Sequence, residues 1–146
     1  MAIMDSKLIF SEDQALTTVG SANSTNTVDL GAGYDAFGSA ASANPGQAAK
    51  PLWLNVRVGT AFASAGSATL TVALQHCATA GGTYTQANIA TPAIGKASLV
   101  AGYNILSVPL PVNLNRYLKL VYTVGTADMT AGTVNAWIGM DSESDK

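Results

Sequence analysis

The sequence predicts an all-β fold, a sandwich of about eight short antiparallel strands, and three observations carry that reading. Apolar residues alternate with period two wherever the pattern is clear. Glycine-rich turns punctuate those runs, at Ala80-Gly81-Gly82, Gly102, Gly125-Thr126-Ala127-Asp128 and Ala131-Gly132. No window of about 11 residues or more holds a 3.6-residue period. Jelly-roll and immunoglobulin-like sandwiches both fit this pattern, because strand order is invisible to it.

In chain order, "KLIFSEDQALTTVG" opens with one apolar run, Leu8-Ile9-Phe10, followed by an acidic step. Leu16 to Val19 and Thr27 to Leu30 each suit a short strand. The alanine-rich stretch from Gly38 to Lys50 is broken by Asn44-Pro45-Gly46 and reads as a long loop. In "PLWLNVRV", Leu52, Leu54, Val56 and Val58 point one way, with Trp53, Asn55 and Arg57 opposite. Gly59 to Ser67 has the chemistry of a hairpin or loop. "TLTVALQ" buries Leu70, Val72 and Leu74, and "NILSVPL" follows, its Pro109 marking an edge or strand end. "RYLKLVYTV" is the best strand, with Leu118, Leu120, Tyr122 and Val124 toward the core. "TVNAWIG" closes the fold, with Val134, Ala136 and Ile138 on one side and Trp137 on the other.

The chain has 146 residues, 48% of them hydrophobic and only 11% charged. One domain spans 1–146, with an N-terminal arm at about 1–20 and a polar tail at about 140–146. A surface so poor in charge suits a protein packed against others. From Ala36 to Ala127 there is no acid, only Lys50, Arg57, Lys96, Arg116 and Lys119, while the acids sit toward the two ends. Either polar ends keep a low-charge protein soluble, or the acidic ends of one subunit seek the basic body of another. Five spaced cations are too few for a nucleic-acid face. No targeting head or bilayer-spanning run is expected to act, and neither nucleic acid nor membrane is an expected partner.

Chemistry finds little to work with. Cys77 is the single cysteine and His76 the single histidine, and as strand neighbours they point apart, which spoils a thiol dyad. No Gly-x-Ser-x-Gly elbow, zinc ligand set or Asp-rich calcium loop occurs. "GAGYDAFG" misplaces the third glycine of a dinucleotide-binding turn and reads as a plain turn. The expectation is no enzyme, no cofactor and no metal. Trp53 and Trp137 lie on the less apolar strand faces, where they serve as sugar platforms, interface anchors or core residues.

"MDSKLIFSEDQALTTVGSANSTNTVDLG", "WLNVRVGTAF", "ATLTVALQ" and "RYLKLVYTV" together resemble the capsid cement (decoration) proteins of tailed bacteriophages, of the type found in Bordetella podophages. The resemblance runs from near the N-terminus to about Gly139, and its opening block is its most specific part. It implies a jelly-roll sandwich without catalytic activity, placed on the exterior of a phage head. The expected partners are the major capsid protein and the chain itself, as a homodimer first and a trimer second. The protein is then made in the host cytoplasm and ends in the virion. The expected contact residues are Leu8, Ile9 and Phe10 in the arm, with Trp53, Arg57, Tyr117 and Trp137 on strand faces. A carbohydrate- or receptor-binding sandwich is the alternative, and a hydrolase built on His76 ranks last.

Overall fold

The computed structural model describes residues 5–34, 37–41, 46 and 50–142. Twelve strands appear there: β1 (Ile9–Ala15), β2 (Gly20–Asn23), β3 (Val28–Asp29), β4 (Gly33–Tyr34), β5 (Ala40–Ala41), β6 (Trp53–Val58), β7 (Thr69–Cys77), β8 (Thr85–Ala90), β9 (Ile94–Gly95), β10 (Asn104–Pro109), β11 (Tyr117–Gly125) and β12 (Thr133–Gly139). Sheet A runs β1-β12-β6-β10, and sheet B runs β2-β11-β7-β8 with β3 added to β11 and β9 to β7. Strands β4 and β5 form a small separate hairpin. Every pairing among the described strands is antiparallel.

Taking only the eight principal strands in chain order, sheet A reads first-eighth-third-sixth and sheet B second-seventh-fourth-fifth. That interleaving, with the chain crossing repeatedly between two four-stranded sheets, is the jelly roll. It rules out the immunoglobulin-like alternative, whose sheets group the strands differently.

The alternation read from sequence becomes the core. Strands β7 and β11 pair along their whole length, placing Leu70 opposite Val124, Val72 opposite Tyr122 and Leu74 opposite Leu120. All six are essentially without exposure. From sheet A they meet Leu54, Val56, Val58, Val134, Ala136 and Ile138, also buried. Each such side chain contributes about 1.5–3 kcal/mol on leaving water, so this interlayer dominates the stability.

One polar group sits inside it. The Tyr122 hydroxyl lies 2.7 Å from Ser11 Oγ, and Ser11 Oγ donates to Gln14 Oε1 at 2.6 Å. Serine has one hydrogen to give, so Tyr122 donates to Ser11. Gln14 in turn accepts from the Thr25 amide and donates to the Asn23 carbonyl. This chain ties the edge strand of sheet A to the edge of sheet B.

The N-terminal segment expected as an arm is ordered against its own sandwich, for β1 enters the chain's own sheet at Ile9. It can do so because β1 carries two register shifts, and Asp13 takes a positive φ of 42°, so an irregular sequence still pairs with β12. Leu16 to Val19 is a connection rather than a strand, and pairing begins only at Gly20. Gly59 to Ser67, expected as a hairpin or loop, is the loop, and it carries the chain from β6 in sheet A to β7 in sheet B. Strand β8 was absent from the expected set because Ile89 is its one strongly apolar inward residue, the other being Ala87. Gly132 is required where it stands, for its φ is +139° and any side chain would enter the Phe62 ring.

Candidate interaction surfaces

The two outer faces of the sandwich present different chemistry. On sheet A, one row crosses all four strands: Ile9 is opposite Trp137, Trp137 opposite Asn55, and Asn55 opposite Ser107. These residues point away from the core, yet Trp137 is only 7% exposed and Asn55 only 2%. The cover includes the chain just after β12. Asn55 Nδ2 donates to the Asp141 carbonyl at 3.1 Å, and Ser107 Oγ lies 2.5 Å from the Ser142 carbonyl. Residues 140–142 therefore form a strap across β6 and β10.

The strap's hydrogen bonding is incomplete. Ser107 Oγ lies 2.7 Å from Asn55 Oδ1 as well as beside the Ser142 carbonyl, so one hydroxyl hydrogen faces two acceptors. Trp137 Nε1–H, by contrast, is buried and has no acceptor among the described residues. The edge of the indole that carries Nε1 faces Gly139, where the strap begins: a Cβ on that glycine would stand 3.5 Å from Nε1 and Cδ1. A second row beside the first pairs Asn135 with Arg57. Asn135 Oδ1 accepts from the Asp13 amide at 2.6 Å, while its Nδ2 donates to Asp13 Oδ1 at 3.0 Å.

Sheet B shows solvent a plain surface. Register places Thr71 opposite Thr123, Ala73 opposite Val121 and Gln75 opposite Lys119, flanked by Ser21 and Asn23 on one side and Gln86 and Ala90 on the other. Charge gathers at one end. Lys119 Nζ stands 4.4 Å from the Tyr84 ring centre, and the Arg116 guanidinium 5.1 Å from that of Tyr117. Arg116 grips Asp29 through two bonds of 2.6 and 2.8 Å. That grip, with the Gly31 amide donating to the same carboxylate, holds Asp29 down to about 2. Burial pushes the Tyr84 hydroxyl above its ordinary range.

The expected contact residues divide among three environments. Ile9, Trp53, Arg57 and Trp137 come together on the outer face of sheet A, and Tyr117 lies on sheet B. Phe10 has no exposure at all and is spent in the chain's own core, against which Leu8 also packs. Arg57 Nε donates to the Gly102 carbonyl and Lys96 Nζ to the Ser64 carbonyl. Arg116 and Lys119 share one end of sheet B, where Arg116 is held by Asp29. His76 Nδ1 accepts from the Asn115 amide at 3.1 Å, so that nitrogen is engaged in holding the loop before β11. Cys77 is buried, 4.0 Å from Thr79 Oγ1. Gly31, with φ of +80°, makes the plain turn expected of "GAGYDAFG", whose Asp35 and Ala36 lie outside the described residues.

Sequence reasoning missed Asn55 and Ser107. They occupy outward positions that read as solvent-facing, and nothing in a local pattern says that residues 140–142 return over them. Among the described residues no three His, Cys, Asp or Glu side chains converge as a metal site. Nor is any helix among them long and apolar enough to cross a membrane.

No curated protein matches the sequence. A family model does, over residues 10–138, from the first fully buried residue of β1 to the last core residue of β12. The match covers the whole sandwich, and the chain belongs to the Bbp16 family.

Proposed function

We propose that this protein is a capsid cement protein: it binds the outside of a phage head as a homo-oligomer and bridges major capsid protein subunits. In that role it holds the mature shell against the pressure of packaged DNA and catalyses no reaction. The observation that carries this reading is the match to a phage-associated family across the entire jelly roll. The outer face of sheet B supports it, since Thr71, Ala73, Val121 and Thr123 carry no charge and lose little on being covered. A cement protein works by mass action, binding the mature lattice more tightly than its precursor and so stabilising it by linkage. Many copies let individually modest contacts suffice.

The rival reading is a carbohydrate- or receptor-binding module that uses Trp53, Trp137 or nearby tyrosines. Trp137 is buried and offers no ring face to a sugar. The test is cosedimentation of the purified protein with expanded and with precursor heads. Selective pelleting with expanded heads, and a rise in their resistance to heat, is the expected result. Failure to pellet with either, together with binding on a glycan array, would overturn it.

A further inference from the structure

We infer that the loop joining β10 to β11, residues 110–116, is a proton-sensitive clasp: it is seated on the end of the sandwich while the His76 imidazole is neutral, and it is released when that ring takes a proton. The inference stands apart from the cement reading. Its basis is the direction of one hydrogen bond, in which His76 Nδ1 accepts from the Asn115 backbone amide at 3.1 Å. A ring nitrogen accepts only when it carries no hydrogen, so the seated loop requires the neutral ring with its proton on Nε2. A second proton would occupy Nδ1 and set two N–H groups against each other. The bond is only partly buried, so protons reach the ring from solvent.

The bond holds more than one amide. Asn113 takes a positive φ of 60°, and the chain turns there so that Leu114 is buried in the core and the next amide meets His76. The two ends of the loop are tied elsewhere. The Leu110 amide donates to the Leu52 carbonyl at 2.8 Å, and the Arg116 carbonyl accepts from the Leu30 amide at 2.9 Å. Release therefore frees the middle of the loop, Leu114 included, and leaves its ends attached. Thr85 of β8 and Leu118 of β11 stand opposite His76 in the sheet, and neither titrates. Cys77, Tyr117 and Lys119 alternate with them onto the other face of sheet B, where Tyr84 stacks against Lys119. Arg116, beside Asn115, is turned onto Asp29, and Lys7 lines the open cleft next to that carboxylate. The released loop thus goes with one more bound proton than the seated one, so acid favours release.

Nuclear magnetic resonance of the nitrogen-15-labelled full chain, from about pH 8 to about pH 4, tests the clasp. The ring's own nitrogen shifts report its tautomer and charge, and hydrogen exchange reports the protection of the Asn115 amide. The neutral ring is expected with its proton on Nε2. Protection at Asn115 is expected to fall about tenfold in step with ring protonation, the size of one lost hydrogen bond, while the amides of Val72 and Tyr122 keep theirs. Asp29, held down to about 2, keeps its charge throughout, so its grip on Arg116 does not produce the change. A neutral ring protonated on Nδ1, a ring that never takes its second proton in this range, or an Asn115 amide still protected beside a charged ring overturns the inference. His76→Gln supplies an acceptor oxygen that no proton removes, and Asn115 protection in that variant is expected to be flat across the same range. A persisting response there assigns release to another group and overturns the role of His76. The wild-type titration decides the matter alone if that variant does not fold.

Discussion

The outer faces of the two sheets obey the same alternation rule and have opposite fates. On sheet B an outward residue meets solvent: Thr71, Thr123, Ala73 and Gln75 can be read straight from the period-two pattern. On sheet A the outward row holds Trp137 and Asn55, both nearly as buried as the sandwich core. Part of the difference comes from chain that lies beyond the alternating strand, because the strap after Gly139 is latched over Asn55 and Ser107. Pleat periodicity decides which face a side chain takes, whereas burial depends on what later covers that face.

The largest effect should come from removing the indole. Trp137→Ala is expected to lower the unfolding free energy by about 3 kcal/mol, the low end for a buried aromatic, because the strap can partly collapse into the space. Thr71→Ala and Thr123→Ala, on the facing surface of the molecule, should stay within about 0.5 kcal/mol. Urea denaturation of the three variants makes the comparison directly. Equal small losses at all three would mean that the strap does not seal the sheet A face.

Asn55→Ala comes next. It removes the donor to the Asp141 carbonyl and an acceptor beside Ser107, in a place almost without water, and should cost about 1–3 kcal/mol. Gln75→Ala changes a similar amide on sheet B and should cost less than about 0.5 kcal/mol. Trp137 fluorescence, read in a Trp53→Phe background, should shift to the red in Asn55→Ala as the strap loosens. An unshifted spectrum with the full loss of stability would assign Asn55 to the sheet rather than to the latch.

These two residues also mark where the sequence stops being legible. Leu70, Val72, Leu74, Leu118, Leu120, Tyr122 and Val124 were placed in the core from their spacing alone, because two long strands with unbroken alternation leave one face to bury. Trp137 was assigned to the outward side correctly, but its burial was open, since cover is a long-range property. Strand β1 was hidden for a different reason. Its bulges at Ser11 and Gln14 interrupt the period, so an integral strand looks like an arm, and Phe10 looks available when it is fully enclosed. The jelly-roll order followed from the family resemblance rather than from the pattern, since hydrophobic spacing contains no information on which strands are neighbours. The contact residues fared accordingly: four share one face, and the main-chain latches that organise that face carry no sequence signal.

The smallest effect belongs to the charged end of sheet B, and it carries a sign. The Arg116–Asp29 pair is solvent-exposed, so its contribution is modest and screened by salt. Its direction is fixed by the carboxylate, which falls from 3.8 to about 2 on folding. A group whose folded value is lowered contributes stability above its unfolded value and loses it as pH falls through the folded one. The stability difference between the wild type and Asp29→Asn should therefore be constant above about pH 4 and shrink toward zero by about pH 2. Added salt should reduce that difference, whereas the loss from Trp137→Ala should be unaffected by salt. A pH-independent loss in Asp29→Asn would trace its role to the turn at Gly31, since an asparagine side chain keeps an acceptor for that amide but no charge for Arg116. The comparison then separates the faces by mechanism, with sheet A held by burial that ignores pH and salt and sheet B tuned at one end by a charge that responds to both.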